Sequence, residues 1–252
     1  LQAWKIATVK IAEIFRSLQG EGFLTGTPSV FVRASGCNLR CWFCDTPYTS
    51  WEPEGEDLSV EEILRQVDEL LGSPHSGSLP KGEREYACSH AVLTGGEPML
   101  FAELVPLAGA LRDRGMHITV ETAGTLYLPL ECDLMSISPK LAGSGPTAEQ
   151  NERWHVRHEQ SRHAPDVIRR LVTEYPYQIK FVVDSLDDCV AAEAWLEEFP
   201  QVNRSRVLLM PQGIDTETLA QTAAWLEPYC QQQQLNFCPR KHIEWFGCVR
   251  GT

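Results

Sequence analysis

The chain has 252 residues, 43% of them apolar, which is enough for one sizeable core in a single large domain. A net charge of −12 excludes a protein that coats nucleic acid, which would carry a basic face, so an anionic ligand has to be met by local cations. Residues 1–9 lack the apolar stretch of a secretory leader, no apolar run approaches the ~18 residues of a membrane helix, and nine cysteines, three of them crowded together, fit a reducing cytoplasm rather than a disulfide framework.

Residues 8–15 alternate weakly and predict a short strand. Ser17-Leu18-Gln19-Gly20-Glu21-Gly22 follows as a polar turn. Its glycines allow close backbone approach to a ligand, although an ordinary hairpin turn reads as well from the pattern. Residues 29–34 predict a buried strand with Arg33 inside it, and a buried guanidinium needs either an internal carboxylate or an anionic substrate. Ser59 and Glu62 form a capping box, and Ile63, Leu64, Val67, Leu70 and Leu71 give the helical stripe that follows. Residues 72–84 read as a surface loop.

Residues 91–93 predict a strand that ends in Thr94-Gly95-Gly96-Glu97-Pro98, and 100–114 a helix closed by Gly115. Strands follow at 117–122 and 134–137, the second leading into Ser138-Pro139-Lys140. His155, His158 and His163 fall in the polar stretch 141–165, whose Arg and Glu residues point to a solvated helix. A helix over 166–174 precedes a strand over 177–183 with Lys180 in its middle, where Asp184 is a candidate partner. Helix 187–199, strand 206–210, helix 216–231 and strand 234–238 complete the core, and the tail 239–252 is aromatic and basic. Alternating strands and helices predict an α/β fold with an open or partial barrel of about six strands.

The densest chemistry lies between Gly36 and Pro47, where Cys37, Cys41 and Cys44 are spaced C-x3-C-x2-C. Three thiolates can converge on one metal or cluster but leave a four-site object one ligand short, whereas structural zinc closes with a fourth Cys or His. A cubane iron–sulfur cluster so held keeps one iron open. The loops 37–47, 94–98, 121–124, 138–140 and 210–213 all follow strands, so they belong to one rim of the barrel.

The cysteine spacing resembles that of the radical S-adenosylmethionine (SAM) enzymes, with Trp42 where an aromatic residue is usual and Gly95-Gly96-Glu97-Pro98 similar to the loop that holds the methionine amino group. Within that superfamily the closest resemblance is to the 7-carboxy-7-deazaguanine synthases. It is carried by Glu13-Ile14-Phe15, residues 17–22, Phe31-Val32-Arg33, Cys44-Asp45-Thr46, residues 93–98, Ser138-Pro139-Lys140 and Lys180-Phe181-Val182-Val183. The resemblance spans about residues 11 to 247, and implies a partial (β/α)6 TIM-like barrel of the radical SAM type with modified helices. One domain then covers 1–252, with a core of about 11–238 and a tail of 239–252.

The implied activity is that of a carbon–nitrogen lyase in queuosine and 7-deazapurine biosynthesis. It converts 6-carboxy-5,6,7,8-tetrahydropterin to 7-carboxy-7-deazaguanine with loss of ammonia, by way of a 5′-deoxyadenosyl radical. The implied cofactors are a [4Fe–4S] cluster on Cys37, Cys41 and Cys44, SAM, and Mg²⁺ at Thr46. SAM would be bound by Phe43, Asp45, Gly96, Glu121, Ser138, Lys140, Met210, Pro211, Gln212 and Gly213. Leu18, Gln19, Gly20, Glu21, Arg33, Thr94 and His242 match substrate positions, with Arg33 set against a substrate carboxylate. The implied partners are the pterin, an electron donor such as flavodoxin or ferredoxin, and a second copy in a homodimer. A cytoplasmic enzyme with no nucleic-acid or membrane partner follows. The tail runs on through Trp245 to Thr252 beyond where some members end, so its part in the pocket is open. Two rivals remain, a radical SAM activase that installs a glycyl radical on a partner protein and a zinc-binding interaction module.

Overall fold

The computed structural model describes residues 7–72 and 88–252. The surface loop expected over 72–84 lies almost wholly outside them. Among the described residues, nine strands form one sheet in the order β3-β1-β2-β4-β5-β6-β7-β8-β9. They are β1 (Thr8–Leu18), β2 (Pro28–Ala34), β3 (Glu56–Ser59), β4 (His90–Gly95), β5 (His117–Thr122), β6 (Leu134–Ile137), β7 (Tyr177–Val183), β8 (Val207–Pro211) and β9 (Asn236–Phe237). From β2 through β9 every neighbouring pair is parallel, whereas β1 runs antiparallel to β2 and β3. The order is linear and its edges do not meet, so this is a partial barrel.

Among the described residues, eight α-helices accompany the strands. They are α1 (Pro47–Ser50), α2 (Val60–Gly72), α3 (Leu104–Asp113), α4 (Ala148–Ser161), α5 (Pro165–Glu174), α6 (Leu186–Glu198), α7 (Thr216–Gln233) and α8 (Lys241–Phe246). The strands' side-chain period of two divides the sheet into two chemistries. Val30, Val32, Leu93, Ile118, Val120, Met135, Ile137, Ile179, Phe181, Val207 and Leu209 are buried in the main core. Against them pack Ile63 and Val67 of α2, Leu107 and Leu111 of α3, Leu171 of α5 and Leu226 of α7. Each fully buried aliphatic side chain contributes about 1.5–3 kcal/mol. The alternate positions, Phe31, Arg33, Thr94, Glu121, Ser136, Gln178, Lys180 and Met210, take the other face. There Phe15 and Phe31 stack at 5.0 Å and close one part of the interior, leaving polar groups at the ends of the strands.

The capping box of α2 forms as expected, with Ser59 N donating to Glu62 at 2.8 Å and Glu62 N to Ser59 Oγ at 3.3 Å. Residues 56–59, however, also pair with Thr8–Ile11 as an edge strand, β3. Two acidic residues, Glu56 and Asp57, mask it from pattern reading, as charges on edge strands do. The helix expected from residue 100 starts only at Leu104. Before it, Pro98–Leu100 make a tight 3₁₀ turn capped by Glu97, whose carboxylate accepts from Met99 N. The last strand shrinks to two residues, because α7 runs on and ends at Gln234 in the left-handed conformation, φ 57°.

Candidate active site

The chain leaves β2 at Ala34 and turns at once into the cysteine loop, which α1 closes. Gly36 N bonds Thr49 O at 2.8 Å and Glu97 N bonds Gly36 O at 2.9 Å, so this loop is laced to both α1 and the loop after β4. Gly95 and Gly96 explain why glycine is needed here. A Cβ on Gly95, whose φ is +139°, would lie 2.0 Å from Ala34 O, and one on Gly96 would lie 2.2 Å from Gly36 O. The two loops cross backbone against backbone. Glu97 is fully buried and points away from the cavity, accepting from Thr122 Oγ1 at 2.8 Å and Ala123 N at 2.9 Å. Burial pushes its pKa up, and these bonds to the carboxylate work against that. It locks the ends of β4 and β5 together.

Cys37, Cys41 and Cys44 all line one cavity of about 180 Å³. Among the described residues, its lining holds no fourth cysteine and no histidine. Burial pushes the Cys37 thiol up to about 12 and Cys41 up to about 11, so both are neutral at physiological pH unless a cationic centre sits against them. Three thiols without a fourth protein donor fit a cluster that keeps one iron open, and do not fit a closed structural zinc site. Phe43, Asp45, Gly96, Glu121, Ser138, Lys140, Met210 and Gln212 line the same cavity. Lys140 Nζ is fixed by Ser138 Oγ at 2.7 Å and Ser138 O at 2.6 Å. Pro211 instead ends β8, paired with Val183, and Gly213 turns its carbonyl to Arg240 at 2.7 Å.

A second cavity of about 390 Å³ adjoins the first. Leu18, Gln19, Gly20, Glu21, Arg33, Thr94 and His242 all line it, and Thr46 lies on the walls of both. Between the cavities runs a buried charge network. Lys180 Nζ meets Glu21 at 2.9 Å and Glu121 at 3.5 Å, not Asp184 as its place in the strand suggested. Its side chain lies on the inner face of β7, where those carboxylates are. Glu121 also accepts from Thr94 Oγ1 at 2.9 Å and Gln19 Nε2 at 3.3 Å. Arg240 Nε meets Glu21 at 3.2 Å while its terminal nitrogen pairs with Asp45.

Burial alone would raise the Glu21 pKa, but Lys180 and Arg240 hold it well below the usual carboxylate range. Lys180 and Arg240 are raised in turn, burial opposing and Glu21 prevailing. Burial lowers His242. Glu21, Asp45 and His242 could reach one cation, but Arg240 already joins the two carboxylates and a metal there would have to displace it.

Arg33 finds its internal carboxylate in Glu13, at 2.6 Å through Nε, and Tyr48 OH donates to the same Glu13 oxygen at 2.7 Å. Glu13, though part of the stretch that carries the resemblance, was not expected at the site, nor were Tyr48 and Arg240, because each acts through a partner remote in the chain. Arg240, directly after Pro239 and three residues past β9, carried a weak positional signal. The tail does reach the pocket, since residues 248–252 line the second cavity. The solvated helix expected around His158 is corrected as well. Its ring is fully buried, because α4 turns it toward the cysteine loop.

An open, mostly parallel α/β barrel with three thiols at the rim defines a class, the radical SAM enzymes, and residues 31–139 match the Radical SAM superfamily. The chain is 42% identical over 247 residues to a 7-carboxy-7-deazaguanine synthase of Rhodopirellula baltica, covering 98% of this chain and 90% of that one. A relative of the same name from Halobacterium salinarum is 40% identical over 242 residues, 92% of this chain and 88% of its own. A crystal structure of QueE from Escherichia coli shares the fold, with a TM-score of 0.64 at 23% identity, covering 93% of this chain and 95% of that one. The chain belongs to the 7-carboxy-7-deazaguanine synthase family.

Proposed function

We propose that this enzyme converts 6-carboxy-5,6,7,8-tetrahydropterin to 7-carboxy-7-deazaguanine with loss of ammonia, in queuosine and 7-deazapurine biosynthesis. The observation that carries this reading is the pair of adjoining cavities, one ringed by three thiols and the other lined by Arg33 and the carboxylates Glu13, Glu21, Asp45 and Glu121. Cys37, Cys41 and Cys44 would hold a [4Fe–4S] cluster. When bound, the cluster supplies the electron that cleaves SAM, and with it the adenosyl radical that takes hydrogen from the pterin.

The chain's own residues bind and orient. Lys140, already pinned by Ser138, is a fixed cation for the methionine carboxylate of SAM. Glu121, Met210 and Gln212 border the space assigned to its nucleoside. Glu13 engages Arg33 through Nε, and the terminal N–H groups of that guanidinium are the ones assigned to a substrate carboxylate. Gln19, Glu21 and Thr94 present hydrogen-bonding groups to a heterocycle rich in N–H and C=O. Thr46, on the wall of both cavities, is assigned to Mg²⁺, a hard cation that takes few protein ligands and completes its octahedron with substrate oxygens and water.

Residues 1–252 are read as one catalytic domain, working as a homodimer in the cytoplasm and reduced by a flavodoxin or ferredoxin, without a nucleic-acid or membrane partner. Among the described residues, no helix is long and apolar enough to cross a membrane.

The test is anaerobic reconstitution with dithionite, SAM, Mg²⁺ and the carboxytetrahydropterin, followed by mass spectrometry. A product lighter than the substrate by ammonia, absent with Cys41→Ala, is expected. SAM cleavage with the pterin untouched would keep the class and overturn the substrate, as a glycyl-radical activase requires. Zinc without sulfide in protein purified anaerobically would overturn both.

A further inference from the structure

The segment from Leu141 to Ser161 contributes no lining to either of the two catalytic cavities, yet it carries a buried histidine with both ring nitrogens committed. His158 Nδ1 lies 3.1 Å from Arg40 N, and Nε2 lies 2.9 Å from Ser144 Oγ. A backbone N–H can only donate, so Nδ1 is the acceptor. The Ser144 hydroxyl donates its one proton to Leu141 O at 2.6 Å, so it accepts from Nε2–H. The ring is thereby fixed as the neutral Nε2-protonated tautomer. Burial pushes its pKa down to about 4, in keeping with that state.

The same segment takes a second peptide from the cysteine loop, Trp42 N donating to Ser144 O at 3.0 Å. Arg40 and Trp42 flank Cys41, so both N–H groups beside the middle thiol are tied to residues 144–158. The surroundings hold the same loop. Trp51 Nε1 donates to Cys41 O at 3.2 Å. The Arg40 guanidinium bonds Cys37 O at 2.9 Å and Leu39 O at 2.7 Å, and lies 3.8 Å over the Trp154 ring of α4.

We infer that His158 is a positioning residue for the cysteine loop: by accepting the Arg40 N–H it fixes the place of Cys41 and keeps that peptide dipole from turning onto the cluster sulfurs. The inference rests on the reading of Cys37, Cys41 and Cys44 as cluster ligands. A peptide N–H aimed at a cluster sulfur raises its potential, so holding this one elsewhere keeps the potential low. Leucine at 158 fills similar space but accepts nothing, whereas asparagine offers an amide oxygen near the Nδ1 position.

The experiment compares wild type with His158→Leu, His158→Asn and Ser144→Ala after anaerobic reconstitution. The rate at which an iron chelator strips the cluster and its midpoint potential by EPR-monitored titration are read. For His158→Leu, stripping is expected roughly 10–100-fold faster, the range for partners that hold metal ligands in place, together with an upward shift in potential. His158→Asn restores both toward wild type. Wild-type stripping and potential in the leucine variant would overturn the inference. Should that variant fail to fold, Ser144→Ala carries the test, because it removes the acceptor that fixes the tautomer. A shifted potential there, with the asparagine variant unshifted, supports the role, and wild-type behaviour of both overturns it. A wild-type protein that takes up no iron overturns the cluster reading itself, and this inference with it.

Discussion

Lys180 is the point on which the buried charge converges, with Glu21 and Glu121 both within 3.5 Å. Breaking a buried pair from one side leaves an uncompensated charge, so Lys180→Met is expected to cost about 3–5 kcal/mol in urea unfolding. Adding Glu21→Gln removes part of that stranded charge, and the double variant should be more stable than the two single losses summed, with a coupling of about 1–3 kcal/mol. Strict additivity would mean that Arg240 alone satisfies Glu21. His158 gives a pH signature of its own. Its folded pKa of about 4 lies below the ordinary 6.5, so between those values the unfolded chain binds the extra proton. Stability is therefore lost as pH falls through that window, by at most ~1.4 kcal/mol per pH unit from this one group. The acid slope should be shallower in His158→Asn, measured by denaturation of the cluster-free protein at several pH values, and equal slopes would show that the histidine titrates normally.

Elements differ in how plainly their sequence declares them. The parallel strands were legible because their apolar runs sit between turn residues, and the cysteine loop because its spacing is short-range. Edge strand β3 was not, since Glu56 and Asp57 suit a solvent-facing edge that any charged turn would resemble. Nor was the role of α4, because its polar sequence hides one inward residue. A Thr147–Gln150 capping box starts that helix, and Asn151, at φ −165° and ψ 91°, interrupts it and starts it again by accepting from Trp154 N at 3.1 Å. The segment is thus two short helical pieces held by caps and by contacts to the cysteine loop. Thr147→Ala should cost about 1 kcal/mol. Hydrogen exchange would place the loss, with faster exchange over 148–161 and unchanged protection in β5 to β8. Uniformly faster exchange would mean that α4 unfolds only with the sheet.

At the scale of the whole molecule, the tail returns to β1, the first strand in chain order. Arg250 bonds Glu54 at 2.9 Å, lies 3.7 Å from Glu13 and sits 4.2 Å over the Tyr48 ring, next to the Glu13–Arg33 pair. Sequence left this tail undecided, since nothing local in Cys248-Val249-Arg250-Gly251-Thr252 says what it touches. Its ion pairs are half-exposed, and such pairs contribute at most about 1 kcal/mol. The second cavity, however, is walled partly by residues 248–252, so what the tail gives up in stability it can return in substrate placement. Arg250→Ala is accordingly expected to move the melting temperature by no more than about 2–4 °C. On the proposed reaction it should raise KM for the pterin several-fold while SAM cleavage without pterin stays at the wild-type rate. A variant with unchanged KM would confine the tail to packing over Tyr48, and one that lost SAM cleavage would show that its influence reaches the first cavity as well.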